Sequence, residues 1–225
     1  GATFRLDTRF GPVGAGGVID PIEVVFNGRV EASDRRYTVS GDAARALFTR
    51  REQSSPGVDP RLARILVNGE ALVTDARTDD RIAADTLDLM LDTDAPSGEL
   101  VPASASARGD ARATRGDESI EARIIESEFT RTDAGETEVA TVGAVDDVVA
   151  INDGGVRLEA ARLDADERSG RVFLEGSPVR VTSREASAER TFTAQRAQYD
   201  RRGRTLTVFS GGTAAQRTGD PTSDE

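Results

Sequence analysis

The chain has 225 residues, 37% hydrophobic with 22 glycines, which supplies enough apolar material for one large packed domain or two small ones. Cysteine, histidine and tryptophan are absent, which excludes a disulfide framework, thiol or imidazole catalysis and Cys/His zinc sites. The 29 basic residues, all arginine, face 40 carboxylates for a net charge of −11, so the basic face that a non-specific nucleic-acid partner requires is missing.

In chain order, the glycine-rich stretch Gly11–Gly17 reads as irregular, and residues 1–21 form a lead-in to the first strand. Phe26 to Ala32 reads as a strand. Ser40-Gly41-Asp42 followed by Ala43, Ala44, Ala46, Leu47 and Phe48 has a helix-like start, but a recurring alanine step assigns it to a strand. Arg51–Gly57 is a loop, Ile65–Val73 and Ile82–Leu91 are strands, and Asp92–Gly98 is a second loop. After the turn at Asp133-Ala134-Gly135, Val145, Val149 and Ile151 fall at even spacing and then meet Asn152-Asp153-Gly154-Gly155, residues that tolerate a tight hairpin. Leu158–Leu163 has helical propensity and is again read as a strand. Arg171–Glu175, Pro178–Thr182, Phe192–Asp200 and Thr205–Phe209 are short β-branched or alternating runs, separated by turns at Asp166–Gly170 and Asp200–Gly203. From Gly211 the chain turns small and polar, and residues 214–225 read as a disordered tail. Many short strands without long helical blocks predict an antiparallel all-β protein, with residues 22–213 forming one domain.

A repeat underlies this pattern. Gly28, Gly69, Gly109, Gly143 and Gly176 open successive units 41, 40, 34 and 33 residues apart, and an alanine-rich step follows each of them. A glycine within a strand marks a bulge or a close backbone approach. The small alanines at one level predict a tightly packed seam.

The stretch Arg171–Val181, followed by Phe192-Thr193-Ala194-Gln195-Arg196-Ala197-Gln198-Tyr199-Asp200 and Gly203–Val208, resembles the OstA-like family, the periplasmic lipopolysaccharide-transport proteins LptA, LptC and the N-terminal domain of LptD. Asn68-Gly69-Glu70-Ala71-Leu72-Val73 with Ile82-Ala83-Ala84-Asp85-Thr86-Leu87 is similar to the same pattern, as is Phe26–Ala32. The resemblance implies a β-jelly roll in which two antiparallel sheets enclose a V-shaped, open-edged groove. It further implies a non-enzymatic, periplasmic lipid-binding and bridging role, with lipopolysaccharide or another lipid in the groove and like domains joined by edge-strand pairing. No cofactor or metal is implied. The alternative fold is a β-solenoid, structural or adhesive, without a groove.

Alternation supplies an apolar lining for such a groove: Tyr37, Val39, Ile65, Val67, Leu87, Leu89, Leu91, Val145, Val149, Ile151, Val172, Leu174, Val179, Val181, Leu206 and Val208. The same residues could instead fill a closed sandwich core. The edge strands expected to dock are Phe26–Val30 and Leu206–Phe209. Arg180 and Arg204 read as ordinary outward-facing residues, with contact to lipid phosphates as the alternative. The pairs Asp79-Asp80 and Asp146-Asp147 do not make a glycosidase, because neighbours on a strand point to opposite faces. No run approaches the roughly 18 apolar residues of a transmembrane helix. The start at Gly1 leaves room for a removed signal peptide or an inner-membrane anchor upstream.

Overall fold

The structure, a computed structural model, describes residues 5–10, 21–33, 36–49, 61–93, 100–132, 135–185 and 188–218. The loops expected at 11–17 and 51–57, and most of the loop at 92–98, lie outside them; Asp92 and Thr93 end a strand. The described residues form thirteen strands: β1 (Arg5–Phe10), β2 (Pro21–Ser33), β3 (Tyr37–Thr49), β4 (Arg61–Asp75), β5 (Arg81–Thr93), β6 (Leu100–Arg115), β7 (Glu118–Arg131), β8 (Thr137–Ile151), β9 (Arg157–Asp166), β10 (Arg171–Glu185), β11 (Ala188–Asp200), β12 (Thr205–Ser210) and β13 (Thr213–Thr218). Each strand from β1 to β11 pairs antiparallel with the next, and β13 pairs with β11. Consecutive antiparallel pairing excludes the solenoid alternative, whose coils would stack instead of running back and forth. Both segments with helical propensity are strands, β3 and β9.

The long strands are creased. The register shifts near the middle of almost every pair: at Asn27/Val30, Asn68/Ala71, Arg108/Ala111, Val145/Val148 and Glu175/Val179. A bulge bends its strand and sharpens the local twist. A line of bulges across the whole sheet therefore folds it into two layers, each strand contributing half its length to either layer. At Gly69 and Gly109 the backbone takes φ +72° and +76°, and a Cβ there would collide with the carboxylates of Asp42 and Asp85 on the preceding strand. Only glycine meets both conditions. Alanines line the fold beside the bulges: Ala44, Ala71, Ala84, Ala111, Ala122, Ala160 and Ala194 are all buried, so the layers approach closely where they join.

Three expectations are corrected. The fourth bulge is not at Gly143, which pairs regularly with Glu126 and Asp164; it is at Asp146-Asp147, both at positive φ. Residues 213–218, mostly assigned to a disordered tail, form β13. They continue β12 beyond Gly211-Gly212, so the last strand is creased at the same level as the others, and β13 completes the hydrogen bonding of Ala188–Thr193. The lead-in contains β1, which pairs with residues 21–27 of β2. Among the described residues nothing joins β1 to β12 or β13, so the sheet stays open.

Candidate binding site between the sheet layers

Between the layers runs a partly open trough of about 470 Å³, lined from β2 through β10. Close-packed cores hold few voids larger than a water molecule, whereas ligand pockets span roughly 300–1,000 Å³. The volume therefore separates a groove from the closed core that spacing alone left open. β5 makes the floor most simply: Leu87, Leu89 and Leu91 face the trough, and Met90 between them is exposed, as strand alternation requires.

Of the residues expected to line the groove, Tyr37, Val39, Ile65, Leu87, Leu89, Leu91, Ile151 and Val172 do so. Val67, Leu174, Val179 and Val181 are off the lining and buried in the core. Val145 and Val149 are half-buried and off the lining, because Ala144 and Val148 take the inward positions of β8. That strand carries small or branched apolar residues at both parities, so alternation could not choose its face. Leu206 packs half-buried against the core. Val208 is exposed with Phe209 on β12, which among the described residues pairs with β11 alone. Sequence reasoning missed Leu62, Val73, Ile82, Leu100, Phe129 and Val139, which also line the trough, as do Ile120, Val142, Leu158 and Leu163. The alternation Ile125-Glu126-Ser127-Glu128-Phe129 would have placed Phe129; Val139 is hidden by the register shift that skips Ala140.

The lips are polar. Arg36 Nε donates to Asp75 Oδ2 at 2.8 Å, the Arg77 N–H donates to Asp75 Oδ1 at 2.8 Å, and the Arg36 guanidinium lies 4.9 Å from the Tyr37 ring centroid. Burial pushes the Asp75 carboxyl up, but the Arg77 N–H and Arg36 guanidinium together bring it below its ordinary 3.8. This cluster ties the end of β4 to the β2–β3 turn. At the other end, contacts cross between the layers. Asn152, after β8, donates from Nδ2 to the Tyr199 hydroxyl on β11 at 3.2 Å, buried. Arg201, after β11, reaches Glu167 at 2.6 Å and Glu118, at the start of β7, at 3.6 Å. These contacts bound the trough at its β9–β11 end, where Leu158, Leu163 and Val172 still line it.

Arg180 faces outward and pairs with Glu159 at 3.7 Å, and Arg204 is exposed; neither lines the trough. Asp146 and Asp147 are exposed at the crease. Among the described residues no group of three carboxylates is arranged to hold a metal, and no helix is long and apolar enough to cross a membrane.

The geometry defines an open, creased antiparallel jelly roll enclosing an apolar trough. No family model and no curated protein matches the chain. Among solved structures it is similar to LptH of Pseudomonas aeruginosa, described as the LptA-homologous periplasmic component of the conserved lipopolysaccharide transport device, at 16% identity and a TM-score of 0.43, over 60% of this chain and 85% of that one.

Proposed function

We propose that the chain is a non-enzymatic lipid-binding and bridging domain that works in the periplasm, holding the acyl chains of lipopolysaccharide or another lipid in its trough. The supporting observation is the aliphatic floor of Leu87, Leu89 and Leu91 facing a space of about 470 Å³ between layers that are joined along one margin by the crease. Each buried methylene contributes about 0.8 kcal/mol, so even one chain laid along this floor outweighs any single polar contact.

The edges support the bridging half of the reading. Among the described residues, Gly28–Ser33 of β2 pair on one side only, and β12 and β13 pair with β11 alone. Such edges accept a further strand. Phe26 and Asn27, expected at the docking edge, are covered by β1, so the free stretch begins at Gly28. At the other end Val208 and Phe209 are 40% and 58% exposed beside the free edge.

Uptake of the fluorescent apolar probe N-phenyl-1-naphthylamine tests the trough. Leu89→Asp places a charge on the floor and is expected to weaken uptake by about tenfold or more, a loss of about 1.4 kcal/mol or more, with an unchanged far-UV spectrum. Unaltered uptake by the folded variant counts against the proposal.

A further inference from the structure

The lips carry information about the headgroup that the floor does not. Among the described residues four arginines line the trough, and each already pairs with a carboxylate: Arg36 with Asp75 at 2.8 Å, Arg81 with Asp79 at 2.7 Å, Arg115 with Asp80 at 3.5 Å and Arg201 with Glu167 at 2.6 Å. Against these four stand six described lining carboxylates, Asp75, Asp80, Asp88, Glu118, Glu138 and Glu167, a net of −2 among the described residues. A phosphorylated headgroup is recognised by guanidinium forks or ammonium groups free to turn toward it. Here the forks are turned toward protein carboxylates, and the chain contains no lysine to take their place. The protein as a whole, at −11, adds a field that slows the approach of anions.

We infer that the lipid held in this trough has a headgroup uncharged at neutral pH, an acylated sugar lacking phosphate. Sugar hydroxyls both donate and accept hydrogen bonds, so they fit against carboxylate–guanidinium pairs without breaking them. A phosphate would have to displace Asp75 or Asp80 from its arginine while sitting among the remaining carboxylates. The inference rests on the trough reading above and narrows it to a class of ligand.

The test compares two fluorescent lipids with identical acyl chains, an NBD-labelled galactosyl diacylglycerol and an NBD-labelled phosphatidic acid, each titrated with the wild-type chain. At low salt the galactolipid is expected to bind about tenfold tighter, and roughly 0.5 M salt should narrow the gap by screening the lips. Asp80→Asn with Glu138→Arg changes the lip charge from −2 to +1 and frees Arg115. In that variant phosphatidic acid should gain about fivefold or more relative to the galactolipid, which loses the Asp80–Arg115 pair its hydroxyls rest against. Phosphatidic acid binding as well as the galactolipid, or better, overturns the headgroup inference and leaves the trough standing. Binding of neither lipid overturns the trough reading itself, and this inference with it.

Discussion

The two ends of the interlayer space are built from the same creased strands, yet the end around β3–β7 is the hollow one and the end around β9–β11 the more solid one, its share of the trough lined by buried Leu158, Leu163 and Val172. Around β3–β7 the inward positions are filled by half-buried Tyr37, Val39, Ile65, Leu89 and Leu91, with space between the layers. Around β9–β11 the inward positions are Leu158, Leu163, Leu174, Val179, Val181 and Tyr199, all buried, and the lips are clasped by Asn152–Tyr199 and Arg201–Glu118. Both regions have a lining of branched aliphatics, so hydrophobicity does not distinguish them. Among the described residues, Asn152–Tyr199 and Arg201–Glu118 are contacts that join the layers at the β9–β11 end. A sheet folded along one crease can hinge at that line, and contacts at the far margin decide whether it closes on itself or on a guest.

The largest test of this contrast places the same charge at each end. Val179 has no exposure, so Val179→Asp buries a carboxylate with no partner and should cost at least about 3 kcal/mol, enough to unfold much of the population. Leu89→Asp at the hollow end meets water in the trough and should cost about 1 kcal/mol. Urea denaturation followed by circular dichroism separates the two; equal losses would mean that the trough is part of the packed core.

A smaller change addresses the clasp. Tyr199→Phe keeps the ring and deletes the hydroxyl that accepts from Asn152 Nδ2, leaving that buried amide short of a partner. The Asn152 Oδ1 bond from the Val156 N–H, at 2.8 Å, survives. The expected loss is about 1–2 kcal/mol, together with greater uptake of apolar probes as the clasped end loosens. Loss of stability without a change in uptake would mean that the clasp holds the fold and does not gate the space.

Much of this contrast was hidden from the sequence for identifiable reasons. β5 was legible because Asp88 and Met90 alternate cleanly with Leu87, Leu89 and Leu91. β8 was not, since Ala144, Val145, Val148 and Val149 place apolar groups on both faces. Its bulge uses Asp146-Asp147 where the earlier units use glycine, so a search for glycine settled three residues early, on Gly143. The all-β class and the meander were readable from turn residues, because each strand has its own period and punctuation. Which inward positions are hollow and which are sealed depends on contacts such as Asn152–Tyr199, between residues 47 apart; no local pattern encodes that pairing. β13 escaped notice because its hydrogen bonds to β11, and not its composition, make it a strand.

Acidity probes the two ends most gently. Asp75, at the hollow end, is held below its ordinary 3.8 by the Arg77 N–H and the Arg36 guanidinium, against the opposing effect of burial. A carboxyl depressed in the folded state adds stability above its unfolded pKa and loses it as pH falls through the lower folded value. Asp166, at the β9–β10 turn of the solid end, is also lowered, chiefly by the Ser169 N–H, but it is exposed. Comparing wild type with Asp75→Asn isolates the first group. The wild-type advantage in urea midpoint, worth no more than about 1 kcal/mol, should be present near pH 6 and shrink below pH 4 as Asp75 takes up its proton. An advantage that persists unchanged to about pH 2 would mean that the Arg36–Asp75 pair contributes nothing to holding the open lip.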